Sequence, residues 1–177
     1  MKNSAFLLII FILSACGETT FDKTTINNLY SLDIPSFLSK SEDLNDDASL
    51  QYQNVFKEFY IIVIEETQEE FHNLVVENEM EDIYSADFEG YTQAVVDILR
   101  EDIDIYDETT VLDTIINGLS SKKIEISGKS EDVEVYYNYT LVQGKDNYYQ
   151  ILTWTLLGNK EDYVKDMNRM TNSFREL

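Results

Sequence analysis

One cysteine, one histidine, one proline and one tryptophan are spread over 177 residues, and 13 Lys plus Arg stand against 34 Asp plus Glu. Each scarcity removes a class of chemistry. A Ser or Cys triad requires a histidine base; the only histidine, His72, falls in a segment of helical periodicity, and no G-x-S-x-G occurs anywhere. One His and one Cys are too few ligands for zinc. A single cysteine leaves no intramolecular disulfide. With a net charge of −21 and no basic run, the chain repels phosphate backbones, so nucleic-acid binding, which depends on a basic patch that releases counterions, is excluded. Partners are expected to be cationic or neutral. No apolar run reaches the ~20 residues of a membrane-spanning helix.

The N-terminus carries a different signal. Lys2 precedes an apolar run from Ala5 to Leu13 and then small residues, the pattern of an export signal over 1–15. Leu13, Ser14, Ala15 and Cys16 resemble the lipobox of bacterial lipoproteins, in which the cysteine sulfur takes a diacylglycerol and cleavage precedes the cysteine. The resemblance implies two or three acyl chains on Cys16, enough for stable anchoring where one chain would bind only marginally. The competing reading is an ordinary secretory peptide with a chance cysteine. Lipidation accounts better for a lone thiol in an oxidising compartment. The expected location is the cell envelope, with inner or outer membrane left open.

Without the signal, about 160 residues remain, a usual length for one domain. Twelve Tyr and nine Phe supply ample burial, so a folded domain is expected over 29–177. The polar, Thr-rich stretch to Asn28 reads as a flexible tether over 16–28. Leu29 to Ile34, stopped by Pro35, reads as a first strand, with the proline at an edge or turn. Leu50 to Phe56 and Phe59 to Ile64 follow as strands. Phe59, Ile61 and Val63 alternate with Tyr60, Ile62 and Ile64, so the second is apolar on both faces and expected to be covered on both.

Two amphipathic helices can supply one layer: Glu66 to Met80 with Phe71, Leu74, Val75 and Asn78, and Phe88 to Glu101 with Phe88, Tyr91, Val95 and Ile98. Between Glu65 and Glu108 sixteen acids face one base, Arg100, which predicts a long acidic surface. Val111 to Ile116 is ambiguous, and Asn117-Gly118 marks a turn before Lys123 to Ser127. Val133 to Val142 alternates, and Gly144 to Asn147 turns it into Tyr148 to Leu157, a long antiparallel hairpin. Tyr163, Met167, Met170, Phe174 and Leu177 then repeat at steps of four and three, the core stripe of a closing helix.

Several of these segments together resemble a bacterial PsbP-like domain: Tyr30, Leu32, Ile34 and Pro35 match a Y-x-L-x-I-P opening strand, Tyr148 to Thr155 match YYQI-x-TWT, and Asn172, Ser173 and Phe174 match a terminal NSF. The resemblance spans roughly Leu29 to Leu177. It implies an α+β fold, an antiparallel sheet sandwiched between helices (α/β/α). The family includes an extrinsic photosystem II subunit and a nuclear-transport cofactor, which share a scaffold and little chemistry, so no functional residue carries over.

Asp43, Asn45 and Asp47 occupy the first, third and fifth positions of an EF-hand-like loop, but Ala48 replaces the turn glycine and Asn54 the bidentate Glu. Acids are too numerous for any chosen pair to indicate glycoside hydrolysis. No cofactor is expected. Tyr136, Tyr137, Tyr139, Tyr148, Tyr149 and Trp154 lie on paired strands; helices on both faces make them core, whereas an open end makes a groove, with Tyr136, Tyr148 and Trp154 the candidate contacts for a ligand or partner. The expected function is a noncatalytic, membrane-anchored envelope module that binds another envelope protein. The alternative is a binder of small ligands or cations.

Overall fold

Two-residue alternation of buried and exposed side chains organises most of the molecule, a computed structural model that describes residues 18–177. In chain order the elements are β1 (Phe21–Ile26), β2 (Tyr30–Pro35), β3 (Ser39–Lys40), β4 (Ala48–Asn54), β5 (Phe59–Thr67), α1 (Gln68–Glu77), α2 (Phe88–Asp102), β6 (Asp104–Glu108), β7 (Leu112–Ile116), β8 (Leu119–Ser130), β9 (Val133–Gln143), β10 (Asn147–Leu156), α3 (Lys160–Ser173) and β11 (Arg175–Glu176). An eight-stranded antiparallel sheet runs in the order β3-β4-β5-β10-β9-β8-β6, with β7 also paired to β8. A second, three-stranded sheet has the order β1-β2-β11.

Phe59, Ile61 and Val63 on β5 and Tyr149 and Ile151 on β10 are fully buried on one face, under α3 and the small sheet. The opposite face packs Ile124, Ile126, Tyr139, Leu141 and Tyr148 against Phe71 and Val75 of α1 and Phe88, Tyr91 and Val96 of α2. The large sheet is thus covered from both sides, as the apolar alternation of β5 requires. Asn117 (φ 48°) and Gly118 (φ 91°) form the tight β7–β8 turn, where two positive φ angles give a turn that matches the right-handed twist of the strands it joins.

Three sequence expectations are corrected. The segment expected to be a flexible tether forms β1, paired residue for residue with β2 from Phe21 against Pro35 to Ile26 against Tyr30. Its order comes from backbone bonds to an apolar neighbour rather than from its own composition, and Phe21 and Ile26 pack on the core that β2 buries. Leu74 of α1 is 46 % exposed, since α1 docks through Phe71 and Val75, one turn apart. On α2 Phe88 and Tyr91 are buried as expected, but in the next turns Val96 is buried in place of Val95, while Ile98 is 63 % exposed because it overhangs a groove rather than the sheet.

The helix starts are locally encoded. Thr67 caps α1, its hydroxyl accepting from the Glu70 N–H while the Glu70 carboxylate accepts from the Thr67 N–H, a complete capping box. Asp87 caps α2 by accepting from the Gly90 N–H at 3.0 Å. Pro35 ends β2 beyond the reach of β11, which pairs only with Tyr30 and Ser31, so its missing N–H costs no ladder bond.

Candidate functional site

Of the residues singled out from the sequence, Leu13, Ser14, Ala15 and Cys16 lie outside the described residues. Tyr136, Tyr148 and Trp154 do not form one surface. Tyr136 is fully buried under α3, whereas Tyr148 is 3 % exposed on the opposite face, stacked on Tyr91 with ring centroids 4.4 Å apart. Strand parity separates them: Tyr136 pairs with Thr155 and Trp154 with Tyr137, so neighbouring positions on β9 and β10 point to opposite sides. Only Trp154 reaches a partly open face.

There it lies flat on Tyr60, centroids 5.0 Å apart and planes within 10°, with the Tyr137 ring 6.4 Å away. The Glu58 carboxylate accepts from the Tyr60 hydroxyl at 2.7 Å, and burial first, that carboxylate second, pushes the Tyr60 pKa up to about 12. On the same face, α2 and the sheet enclose a groove of about 250 Å³ whose walls are Ile62, Ile64, Leu152, Val95, Ile98 and Leu99. Its floor is polar but internally satisfied. Tyr139 is hydrogen-bonded to Gln150 Oε1, and Gln150 Nε2 donates to the Tyr91 hydroxyl oxygen at 2.8 Å. Desolvation raises the pKa of Tyr91 and of Tyr139, so both hydroxyls stay protonated and serve as orienting dipoles rather than as bases.

A concavity of about 590 Å³ at the N-terminus of α2 contains Asp87, Glu89, Asp113 and Lys122. Its charges are engaged with one another. Lys122 bridges Glu89 at 2.9 Å and Asp113 at 2.6 Å, which raises its pKa. Asp87 accepts from Ser85 Oγ at 2.6 Å as well as from Gly90, which holds its carboxyl below the usual range. A carboxylate pair for glycoside hydrolysis requires one acid with a raised pKa, and Asp87 is shifted the other way. In the EF-hand-like loop, Asn45 Oδ1 accepts from the Asp47 N–H at 2.9 Å, and Gln51 Oε1 accepts from the Leu44 and Asn45 N–H groups. Among the described residues, no three His, Cys, Asp or Glu side chains are grouped to hold a metal ion. No helix among them is long and apolar enough to cross a membrane.

Beneath α3 the sheet carries a polar strip that sequence reading did not single out. Asn138, Thr140, Thr153 and Thr155 are all buried. Asn138 Nδ2 donates to Asn168 Oδ1 at 3.0 Å, and Thr153 Oγ1 donates to the Asn138 carbonyl at 3.2 Å. Thr140 Oγ1 and Thr155 Oγ1 have no hydrogen-bond partner, whereas the Tyr136 hydroxyl faces the Glu125 carboxylate. The signal was present as three threonines and an asparagine at inward parity, hidden among aromatics.

No protein-family model matches the chain, and no curated protein does. Solved structures do. Cyanobacterial PsbP (CyanoP) from Synechocystis sp. PCC 6803 superposes with a TM-score of 0.57 at 9% identity, covering 93% of this chain and 96% of that one. The fold is PsbP-like. The Ran-binding protein Mog1p from Saccharomyces cerevisiae aligns with a TM-score of 0.53 at 12% identity over 89% and 96% of the two chains. A protein of unknown function from Pseudomonas aeruginosa aligns with a TM-score of 0.51 at 9% identity over 84% and 92%. At such identities the PsbP-like likeness extends to the scaffold alone, and activity must be argued from the site.

Proposed function

We propose that the protein is a noncatalytic, lipid-anchored module of the bacterial cell envelope that holds another envelope protein in the groove beside α2. One observation carries this reading: an apolar cleft of Ile62, Ile64, Val95, Ile98, Leu99 and Leu152 opens next to the Tyr60–Trp154 stack on an otherwise strongly acidic chain. Tyr and Trp side chains are enriched among the residues that carry binding energy at protein interfaces, and the apolar cleft supplies a desolvated pocket beside them. The cleft volume, about 250 Å³, is below the ~300–1,000 Å³ typical of small-ligand pockets, which favours a few inserted side chains over a bound metabolite. That Mog1p, a Ran-binding protein, uses this scaffold is consistent with a binding role.

The test is in-cell photocrosslinking from a probe at position 101, exposed on α2 one turn from Ile98, with Ile98→Asp as the variant. Ile98 is 63 % exposed, so the substitution should change stability by no more than ~0.5 kcal/mol while abolishing a specific crosslinked product. A Cys16→Ser variant should lose the same product through loss of anchoring. If the product survives Ile98→Asp, the groove is not the contact.

A further inference from the structure

Glu18, two residues after Cys16, emerges at the end of the domain where the β4–β5 hairpin turns. Thr19 Oγ1 donates to Asp166 Oδ2 at 2.8 Å, the Ser36 N–H donates to the Thr20 carbonyl at 2.9 Å, and the Thr20 and Ser36 hydroxyls are hydrogen-bonded. One residue further, the Phe37 carbonyl accepts from Asn54 Nδ2 at 2.8 Å, which ties this corner to the last residue of β4. Two residues reach at most ~7 Å, so a lipid on Cys16 would bring this end of the domain to the bilayer surface.

The hairpin tip there is Val55-Phe56-Lys57. Phe56 is 97 % exposed and Val55 52 %. The tip is a formed turn, since Asn54 Oδ1 accepts from the Phe56 N–H at 3.1 Å and the Lys57 N–H at 3.0 Å. Behind it the Lys57 ammonium lies 5.2 Å from the Phe37 ring centre and 5.8 Å from that of Tyr163, an aromatic and lysine grouping of the sort found at headgroup level. Glu58 follows the tip, and Glu161 and Asp162 open α3 nearby, with Lys57 and Lys160 offsetting part of their charge. The acid-rich helical stretch starts beyond Thr67, at the opposite end of β5.

We infer that the Val55–Phe56–Lys57 tip is a second point of contact with the lipid bilayer, with Phe56 inserted at the boundary between headgroups and acyl chains. The inference rests on the lipid-anchor reading above. Acyl chains on Cys16 supply the affinity, and the tip fixes orientation. With two attachments the domain cannot swivel about its anchor, and the acidic end of the sheet is held away from the membrane.

With its one native cysteine blocked by lipid, the full-length lipoprotein can be labelled at introduced thiols. It is reconstituted into phosphatidylethanolamine and phosphatidylglycerol vesicles carrying spin-labelled acyl chains, with a fluorophore at Val55→Cys or, as control, at Ile115→Cys. Ile115 is 74 % exposed beside the β7–β8 turn, away from the tip. Quenching should be several-fold stronger at position 55 than at 115, and adding Phe56→Ser should bring position 55 down to the control level. The mass of the N-terminal peptide from the same sample reports the lipid on Cys16 separately. Equal quenching at the two positions with lipid present overturns the tip contact and leaves the anchor standing. Quenching at 55 that ignores Phe56→Ser overturns insertion by Phe56. An N-terminal peptide without lipid overturns the anchor and this inference with it.

Discussion

The two faces of the large sheet solve the same packing problem in different ways. Toward α3 the face is closed: Tyr30, Tyr149 and Phe174 lie with ring centroids 4.9 to 5.5 Å apart, and all three are fully buried. Toward α1 and α2 the face is closed only where Phe71, Phe88, Tyr91 and Tyr148 stack, and beyond them it opens into the groove beside Trp154. The closed face tolerates unpaired hydroxyls at Thr140 and Thr155, whereas the open face has its polar floor bonded through Gln150. The tighter packing thus lies under α3, and the open apolar surface lies under α2.

That division can be broken most directly at Phe174. Phe174→Ala removes the ring that closes the Tyr30 and Tyr149 cluster and should cost ~3–5 kcal/mol in urea unfolding. A loss below ~1 kcal/mol would mean that the closed face does not hold the fold. Thr155→Val sharpens the comparison from the other side. It exchanges a buried, unpaired hydroxyl for a methyl of similar shape on a strand and should stabilise by ~1 kcal/mol, read as a higher urea midpoint. No gain would mean that the polar strip is satisfied in solution.

The smallest expected effect lies at the edge of the open face. Burial raises the Glu66 carboxyl above its ordinary value, opposed by its hydrogen bond with Tyr91 and helped by the charge of Glu70. The folded protein then holds this proton more tightly than the unfolded chain does. Stability falls as pH rises through the interval above the ordinary Glu pKa. Glu66→Gln should accordingly raise the melting temperature at about pH 7 and make little difference at about pH 3, where the carboxyl is protonated in both states. An unchanged melting temperature at neutral pH would place Glu66 in water.

Much of this architecture was legible because it is local. Asn117-Gly118 and the Gly144 to Asn147 stretch name their turns, and the spacing of Tyr163, Met167 and Met170 names the buried side of α3; Phe174 is buried just past its end, while Leu177, expected on the same stripe, is exposed because the helix has already given way to β11. What escaped reading depended on partners distant in sequence. β1 looks like a tether because its own burial is slight, and its order is conferred by β2 and by Arg169, whose guanidinium carbon lies 4.0 Å from the Phe21 ring centre. Asp104–Glu108 reads as an acidic cluster yet forms β6 along β8. The groove escaped because periodicity assigns Ile98 to the apolar side of α2 without saying how far the sheet extends beneath it. Trp154 was found and Tyr60, its stacking partner, was not, since nothing in either strand sets the β5–β10 register.

The small sheet also governs the timing of folding. β2 is bonded to β11, and the Asp33 N–H donates to Ser173 Oγ, 140 residues along the chain, so the core under α3 closes only after nearly every other element has been made. Such non-local closure slows folding, because loop-closure entropy is lost before the contacts that offset it can form. Until α3 and β11 have been made, β1 and β2 have only each other to pair with.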